Sequence, residues 1–256
     1  MNDYDSILLN AIDIAHQAGQ VLMRYFRGNS LDIHAKLNES DIVTVADKAS
    51  EQVIIDCIHR LYPTHSILAE ESGSETHDTG FRWVIDPLDG TTNYSSGLPT
   101  FAISIGVEHN GERVVGVVFA PALNELFTAV KGQGAWLNGN PLHPKENDRI
   151  ERAVISTGFP VDKGTNPDNN LDNFARVMPL VRGIRRLGSA ALDLCYVAAG
   201  FLDGYWECNL HAWDATAGLL IIDEAGAKWE YYREDRNISV VAASGAFFNV
   251  IRPLIK

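Results

Sequence analysis

The sequence predicts a mixed fold, with a largely antiparallel sheet in the N-terminal half and an α/β arrangement in the C-terminal half. Two observations carry this prediction. Asn110-Gly111, a strong hairpin signal, stands between two apolar, β-branched segments at 102–108 and 113–119. From Ala153 onward, short apolar strands alternate with helical repeats, which is typical of α/β proteins. Further turn residues out to about Leu142 extend the antiparallel meander.

Two amphipathic helices are expected before this sheet. Between Asp5 and Phe26, apolar residues recur at three- and four-residue steps, which indicates a helix with one buried face. A second helix begins near Thr44 and ends before Pro63, so Asp47 lies in its first turn. There Asp47 either stabilises the helix dipole or supports a metal site from behind.

The next strands lead into polar residues. Ser66 to Ala69 is a short strand that ends at Glu70 and Glu71, with a flexible loop expected at 72–74. Trp83-Val84-Ile85 is a buried strand, and Pro87 has no backbone donor, so we expect regular pairing to end at Asp86.

The turn after this strand is the strongest candidate for a functional site. Asp89-Gly90 is a turn pair, and Thr91-Thr92-Asn93 can open a helix whose free amides face an anion. Asp-Pro and Asp-Gly are also ordinary turn dipeptides. However, carboxylates at Asp86 and Asp89 repel each other unless a cation lies between them, and such oxygen ligands select magnesium, manganese or calcium. The stretch therefore predicts a metal and phosphate site.

The C-terminal half is predicted from its alternating pattern. We expect strands at 153–157 and 184–187, a helix at about 171–181, and a helix from Ser189 to Ala199 that Gly200 closes. Ser189 can cap this last helix while its free amides face outward. Asp214 is a natural N-cap for the apolar helix 215–225, and its local pattern alone favours that structural role.

Composition restricts the class of protein. Lysine and arginine number 21 against 33 acidic residues, and the net charge is −12 over 256 residues. Such a chain has no general attraction for nucleic acid or anionic membrane, so a phosphorylated substrate needs local groups or bound cations. The sequence has neither an 18-residue apolar run nor a signal-peptide pattern in its first 20 residues, which indicates a cytoplasmic protein. Three cysteines without metal-type spacing, Cys57, Cys195 and Cys208, are expected to be buried free thiols.

Five segments together resemble one known family. Asp86-Pro87-Leu88-Asp89-Gly90-Thr91-Thr92-Asn93-Tyr94 is similar to the first signature of the inositol monophosphatase family. Trp213-Asp214-Ala215-Thr216-Ala217-Gly218, followed by Glu224-Ala225-Gly226, is similar to the second. Asp41 to Asp47, Ala69 to Ser72 and Gly188 to Ala191 stand in the family's order. The resemblance covers nearly the whole chain. It implies a sugar-phosphatase fold of alternating α-β-α-β-α layers in one domain, with sub-domains of about 1–145 and 146–256.

The resemblance also implies an activity and its residues. It implies a magnesium-dependent, lithium-sensitive phosphatase that acts by in-line attack of a metal-activated water, binds two or three Mg²⁺ ions (Mn²⁺ or Ca²⁺ as substitutes) and forms a homodimer. The implied metal ligands are Glu70, Asp86, the Leu88 carbonyl, Asp89 and Asp214. The implied catalytic residues are Glu70, Thr91 and Asp47. The implied substrate contacts are Asp89, Gly90, Thr91, Gly188, Ser189, Ala190, Glu207 and Asp214. Lys36, which the family places in a loop over the site, has no assigned role, and neither have Arg185, Arg186 and His211.

The substrate is expected to be a small polyol phosphate, with inositol monophosphate first. Glu207 and the turn at 188–191 favour it, because they resemble the family's contacts to polyol hydroxyls. Fructose 1,6-bisphosphate, histidinol phosphate and 3′-phosphoadenosine phosphates stay open as alternatives. The sequence departs from the family pattern at two places. Ala227 stands where the family often has a second glycine, which bears on backbone freedom, and the pair His211-Ala212 before Trp213 bears on substrate choice. A regulatory binding protein that retains the fold is the alternative of another class, and the intact set of mutually repelling carboxylates argues against it.

Overall fold

The computed structural model describes residues 3–28, 33–36 and 42–256, so Asp41 of the family-like segment lies outside the described residues. The helices are α1 Asp3–Tyr25, α2 Val45–Leu61, α3 Thr91–Ser95, α4 Leu171–Val177, α5 Ala190–Ala198, α6 Ala212–Ala225 and α7 Gly245–Ile251. The strands up to the middle of the chain are β1 Ile33–Ala35, β2 Ile42–Thr44, β3 Ser66–Ala69, β4 Gly73–Glu75, β5 Phe81–Asp89, β6 Ala102–His109, β7 Glu112–Ala120, β8 Glu125–Val130, β9 Ala135–Leu137 and β10 Asn140–Pro141. The later strands are β11 Val154–Thr157, β12 Gly183–Arg185, β13 Gly204–Leu210, β14 Lys228–Arg233 and β15 Ile238–Ala243.

The N-terminal half contains an eight-stranded sheet in the order β10-β9-β8-β7-β6-β5-β3-β4. All neighbours pair antiparallel except β3 and β5, which are parallel. The predicted hairpin joins β6 to β7, and Asn110 and Gly111 have positive φ values of 53° and 83°. Such values suit the two-residue turn that matches the twist of the flanking strands. The prediction of a largely antiparallel sheet is confirmed.

A five-stranded sheet in the order β12-β11-β13-β15-β14 forms the C-terminal half. β11 runs parallel to both β12 and β13, whereas β15 is antiparallel to its neighbours. The carboxyl end of β11 therefore lies beside the middle of β13, with Thr157 opposite Trp206. The change from one sheet to the other falls between Pro141 and Val154, and the division into two sub-domains stays a prediction.

Three apolar cores separate the layers. The first joins α1 and α2 to one face of the large sheet through residues such as Ile14, Ile58 and Trp83. The second surrounds α5 and α6 between the two sheets, and the third lies between the outer face of the small sheet and helices α4 and α7. Burial of each large apolar side chain contributes about 1.5–3 kcal/mol to folding. The order helix, sheet, helix, sheet, helix confirms the predicted layered fold.

Three local predictions need correction. β5 does not end at Asp86. It continues to Asp89 through a bulge, with Asp86 opposite Ser104 and Asp89 opposite Ala102, because the residue without an amide donor, Pro87, lies in the irregular part of the ladder. The predicted loop at 72–74 is largely the exposed edge strand β4. Helix α4 ends at Val177 rather than near residue 181, because Pro179 has no amide hydrogen with which to continue the helical hydrogen bonds.

The cysteine prediction is confirmed, because Cys57, Cys195 and Cys208 are buried and free. Among the described residues, no helix combines the length and the apolar character that crossing a membrane requires.

Candidate active site

Three aspartates meet at the junction of the two sheets. Asp86 and Asp89 lie at the end of β5, and Asp214 lies in the first turn of α6. One carboxylate oxygen from each lies within 4.8 Å of the others. Asp86 and Asp89 are only 2% and 8% exposed, so the group is largely removed from water. Residues 125 positions apart in sequence are thus brought together by the fold.

Helix α6 reaches this position because it packs directly against the large sheet. A Cβ atom at Gly106 would lie 2.5 Å from a Thr216 methyl carbon, and one at Gly116 would lie 2.8 Å from the Ala217 carbonyl oxygen. Only glycine at these strand positions allows so close an approach. The Ser104 hydroxyl also donates to the Trp213 carbonyl at 3.1 Å.

The predicted start of α6 is corrected by the structure. The helix begins at Ala212, and His211 rather than Asp214 is its N-cap. Asp214 is the third helical residue, and its carboxylate accepts a hydrogen bond from the His211 amide at 2.7 Å. Asp214 therefore still satisfies a free amide of the helix start, as a capping-box carboxylate does, while it faces the other two aspartates.

Asp89 is held by the start of α5. Its Oδ2 atom accepts hydrogen bonds from the Ser189 hydroxyl at 2.6 Å and the Ala191 amide at 2.8 Å. The Ala190 amide also donates to Asp89. Ser189 caps the helix as predicted, but these amides point at a carboxylate and not outward. Ser189 and Ala190 are buried beneath Asp89, and direct substrate contact by residues 188–190 stays a prediction.

The environment opposes three simultaneous negative charges. Burial raises the pKa of Asp86 well above its usual range, and the charges of Glu70, Asp89 and Asp214 raise it further. Burial raises the pKa of Asp89 to about 6, against the hydrogen bonds from Ser189 and the α5 amides, which lower it. Burial and then the charge of Asp89 likewise raise the pKa of Asp214. A cation among these groups would remove the repulsion.

The donor set fits a hard divalent cation. Three carboxylates within 4.8 Å supply the oxygen ligands that such ions take. The Leu88 carbonyl oxygen lies 3.1 Å from the Thr91 hydroxyl, and its role as a further ligand stays a prediction. No histidine or thiol belongs to the group in the described chain, which disfavours a zinc site.

Asp47 connects the start of α2 to Thr91. Its Oδ2 atom accepts from the Thr44 amide and hydroxyl at 2.8 and 2.6 Å, and its Oδ1 atom lies 3.1 Å from the Thr91 hydroxyl. Asp47 is fully buried, and burial raises its pKa. Asp47 thus forms the capping box of α2 and also contacts a predicted site residue, while its support of a metal site stays a prediction.

Glu70 lies at the edge of the aspartate cluster. The Lys36 ammonium group is 2.8 Å from its Oε1 atom and also contacts Glu71. The Glu71 amide in turn donates to Glu51 at 2.9 Å. Glu70 is thus not one of the three mutually close carboxylates, although its charge acts on Asp86.

A cavity of about 430 Å³ adjoins the cluster at Asp214, whereas Asp86 and Asp89 lie outside its lining. Its lining contains three of the predicted site residues, Glu70, Glu207 and Asp214. Gly90 and Thr91 lie outside this lining; Gly90 has a φ of 97° and stands as the N-cap of the five-residue helix α3. The remaining lining residues are Lys36, Phe159, Pro160, Val161, Cys208, Asn209, Leu210, His211 and Trp213.

Glu207 lies on the cavity wall at β13. The Tyr205 hydroxyl donates to its Oε2 atom at 2.7 Å. Burial raises the pKa of Glu207 to about 7, while the Tyr205 hydrogen bond and the nearby Arg186 charge lower it. Near neutral pH this side chain therefore exists in both protonation states, and its ionised form accepts hydrogen bonds from hydroxyl groups.

Sequence reasoning missed the apolar side of this cavity. Phe159, Pro160 and Val161 follow β11, and Cys208 to Leu210 end β13. Ligands of α/β sheets bind beyond the carboxyl ends of parallel strands, so the predicted strand at 153–157 carried the signal for residues 158–161. The bulge between Glu207 and Leu210 had no such signal.

The residues left without a role are now placed. His211 and Trp213 line the cavity, and their rings stack at 4.6 Å. Lys36 contacts Glu70. Arg185 is exposed, and the Arg186 guanidinium lies close to Gly188, where it would contact an added Cβ atom.

Comparisons with known proteins agree with this arrangement. The sequence model of the inositol monophosphatase family matches residues 3–249. The chain is 46% identical to the "Nus factor SuhB" of Pasteurella multocida, covering 84% of this chain and 81% of that protein. It is 43% identical to the "Inositol-1-monophosphatase" of Mesorhizobium japonicum, covering 86% and 84%. The solved inositol monophosphatase of Anabaena (Nostoc) sp. PCC 7120 superposes with a TM-score of 0.87 at 38% identity, covering 98% and 95% of the two chains. The chain therefore belongs to the inositol monophosphatase family.

Proposed function

We propose that this protein is a metal-dependent phosphomonoesterase that hydrolyses a small polyol phosphate, with inositol monophosphate as the first candidate. One observation carries the proposal. One carboxylate oxygen from each of Asp86, Asp89 and Asp214 lies within 4.8 Å of the others, and Asp214 and Glu207 line the same cavity. Membership of the family supports the reaction class.

Asp86, Asp89 and Asp214 would hold the cations, with Glu70 and the Leu88 carbonyl as further ligands. We propose magnesium, two or three ions per site, because the ligands are all oxygen atoms. When bound, such ions neutralise the charge of the phosphate and increase the acidity of water for in-line attack on phosphorus. Lithium is then expected to inhibit by competition for one of these positions.

Thr91 and Asp47 would receive the proton of the attacking water. The Thr91 hydroxyl can accept a hydrogen bond from water while it donates to Asp47 at 3.1 Å. Because burial raises the pKa of Asp47, its carboxylate is a better proton acceptor than an exposed aspartate. Glu70, at the cavity wall, would orient the same water.

Of the described residues that line the cavity, neither Cys208 nor His211 is a good covalent nucleophile. Cys208 lines the cavity, but burial raises its pKa, so its thiolate is scarce near neutral pH. His211 is exposed and its ring stacks on Trp213. Direct attack by water is therefore the mechanism we propose.

We propose the substrate class from Glu207, which lines the cavity together with Asp214. The Glu207 carboxylate would accept hydrogen bonds from hydroxyls of the leaving alcohol, and the Tyr205 hydroxyl holds one of its oxygens in place. An alcohol with several hydroxyls uses this acceptor, whereas an alkyl or aryl alcohol leaves it without a partner.

A panel of esters tests the proposal. Phosphate release from inositol 1-phosphate, fructose 1,6-bisphosphate, histidinol phosphate and 3′-phosphoadenosine 5′-phosphate is measured in magnesium for the wild type and Glu207→Gln. We expect the fastest phosphate release from inositol 1-phosphate, and we expect Glu207→Gln to reduce its advantage over the other esters. Faster release from another ester would keep the reaction and change the substrate, and an unchanged order of rates in the variant would refute the role of Glu207. No release from any ester would refute the proposal.

A regulatory role is the second candidate, because the Pasteurella multocida relative is named as a Nus factor. We propose that any such role exists beside turnover, since the carboxylate set is complete here. A catalytically inactive variant, Asp86→Asn, separates the two: a cellular phenotype that this variant rescues would be regulatory and not enzymatic. The cytoplasmic location, the homodimer and the lack of nucleic-acid binding stay predictions. Sedimentation of the purified protein tests the dimer.

A further inference from the structure

We propose that Gly158 is the residue that positions the Glu207 carboxylate, and thereby sets the preference of the site for polyol esters. This inference rests on the proposed function, because it assigns Glu207 to the leaving alcohol. Gly158 is the first residue after β11, and β11 lies parallel to β13, the strand that carries Glu207.

The contact between the two residues is close. A Cβ atom added at Gly158 would lie 2.0 Å from each of the Cδ, Oε1 and Oε2 atoms of Glu207. Because the three distances are equal, the added Cβ atom would lie over the face of the carboxylate group and not at its edge. The carboxylate therefore lies against the Gly158 backbone, in space that a side chain would fill.

The backbone geometry of Gly158 does not itself require glycine. Its φ is not in the left-handed region, in contrast to 11 other glycines of the described chain. An alanine is therefore compatible with the local backbone, and its cost arises from the clash with Glu207. This separates a positioning role from an ordinary turn glycine.

The Gly158 backbone cannot readily move away. Its carbonyl accepts a hydrogen bond from the Asn170 side-chain amide at 2.6 Å, and the same amide donates to the Thr157 hydroxyl at 2.9 Å. The Asn170 carbonyl oxygen accepts from the Trp206 indole at 2.7 Å. Asn170 and Trp206 are buried, so this clamp ties the end of β11 to β13.

Glu207 is the part that can move. Its carboxylate is the far end of a flexible side chain, held from its own strand by the Tyr205 hydroxyl at 2.7 Å. Tyr205 is fully buried and fixes one oxygen, while Gly158 supports the face of the group. A methyl at position 158 would therefore displace the carboxylate and leave the clamp intact.

The test compares two esters. Wild type and Gly158→Ala are assayed with inositol 1-phosphate and with 4-nitrophenyl phosphate, whose leaving alcohol has no further hydroxyl for Glu207. We expect one ratio, the kcat/KM for inositol 1-phosphate divided by that for 4-nitrophenyl phosphate, to fall by about ten- to hundredfold in Gly158→Ala. This is the range for loss of a hydrogen bond to a charged group. Turnover of 4-nitrophenyl phosphate should change by less than about threefold.

A matched control and a mutant cycle identify the route of the effect. Gly164→Ala lies in the segment that follows β11, has no atom within 4 Å of its added Cβ, and should keep the wild-type ratio. In a Glu207→Ala background, where the carboxylate is absent, adding Gly158→Ala should leave the ratio unchanged within about twofold. An equal fall in both backgrounds would overturn the inference.

A crystal structure of Gly158→Ala decides the positional part without any assay. We expect the fold to be retained and the Glu207 carboxylate to have left the Tyr205 hydroxyl. A contact between Glu207 and the Tyr205 hydroxyl that stays near 2.7 Å in the variant would overturn the positional claim, whatever the assays show. If the ratio is also that of the wild type, the whole inference fails while the proposed function stands. If the wild type hydrolyses neither ester, the proposed function itself fails.

Discussion

At the scale of single residues, the aspartate cluster shows why family-like motifs locate this site better than local patterns. Locally, Asp214 resembles a helix cap and Asp86 an ordinary turn residue, and both do make such bonds, to the amides of His211 and Leu88. Only the combination of segments indicates that they converge. Gly158 was not predictable, because its importance arises from one contact across parallel strands and from no motif of its own.

Loss of one of these aspartates should abolish most turnover. We expect Asp86→Asn and Asp214→Asn each to lower kcat/KM by roughly a hundredfold or more at saturating magnesium, since even loss of an outer partner of a metal site typically costs 10–100-fold. Steady-state assays measure this, with the exposed Asp148→Asn as control. Near-normal turnover in either variant would show that the carboxylates do not hold the catalytic ions.

Glu207 should make stability depend on pH. Its pKa is raised to about 7 in the folded protein, above the ordinary value of about 4.5 for glutamate in the unfolded chain. The folded state therefore binds this proton more tightly, and the free energy of unfolding falls as pH rises from about 4.5 to 7. Glutamine does not titrate. A pKa raised from about 4.5 to about 7 corresponds to about 3–4 kcal/mol, so we expect the Tm of metal-free Glu207→Gln to gain about 7–14 °C on that of the wild type across this window.

Melting curves of both proteins from pH 4.5 to 8 check this expectation. The difference in Tm should grow up to about pH 7 and then level off. Glu234→Gln, which changes an exposed carboxylate, is the control and should show no such trend. A constant difference between wild type and Glu207→Gln would contradict the raised pKa.

At the scale of elements, periodicity and turn residues predicted most of the strands and helices. The predictions that failed have physical causes. The hairpin at Asn110-Gly111 and the helix start at Thr44 depend on local chemistry, so the sequence was sufficient. The continuation of β5 through Pro87 depends on pairing with β6 on both sides of the bulge, which is a tertiary contact. The edge strand β4 is exposed and carries no apolar alternation that could have revealed it.

The start of α2 links stability to chemistry in one element. Thr44→Ala removes a cap hydroxyl and should destabilise the protein by about 1 kcal/mol with a modest effect on rate. Asp47→Asn weakens proton acceptance through Thr91 and should lower kcat by roughly 10²–10⁴-fold, the usual share of general base catalysis. Denaturant unfolding and kcat, measured on both variants, separate the effects. Equal losses of kcat would assign Asp47 a structural role only.

At the scale of the whole molecule, the layered fold followed from the family resemblance, whereas the packing of α5 and α6 between the sheets was not readable from periodicity. That packing determines the site, because β5, α5 and α6 meet only when both sheets enclose the two helices. The net charge of −12 makes the assembled carboxylates more costly without cations. The fold thus brings together acids that repel one another.

Binding of magnesium should therefore stabilise the entire chain. At a hundredfold excess over Kd, a ligand that binds only the folded state adds about 2.7 kcal/mol. For a chain of this size we expect a rise in Tm of about 5–10 °C. Calorimetry of chelated protein, with and without magnesium, measures it. Asp86→Asn should show a much smaller rise, and an equal rise in both proteins would place the stabilising ion elsewhere.

The most direct test of the central claim is phosphate release from inositol 1-phosphate as magnesium is titrated into chelated protein. The account predicts no release without the ion, a saturable rise as magnesium is added, and loss of release when chelator is restored. Release that continues at full rate in chelator, or that never starts at saturating magnesium, would contradict the claim that Asp86, Asp89 and Asp214 form the metal centre of a phosphatase.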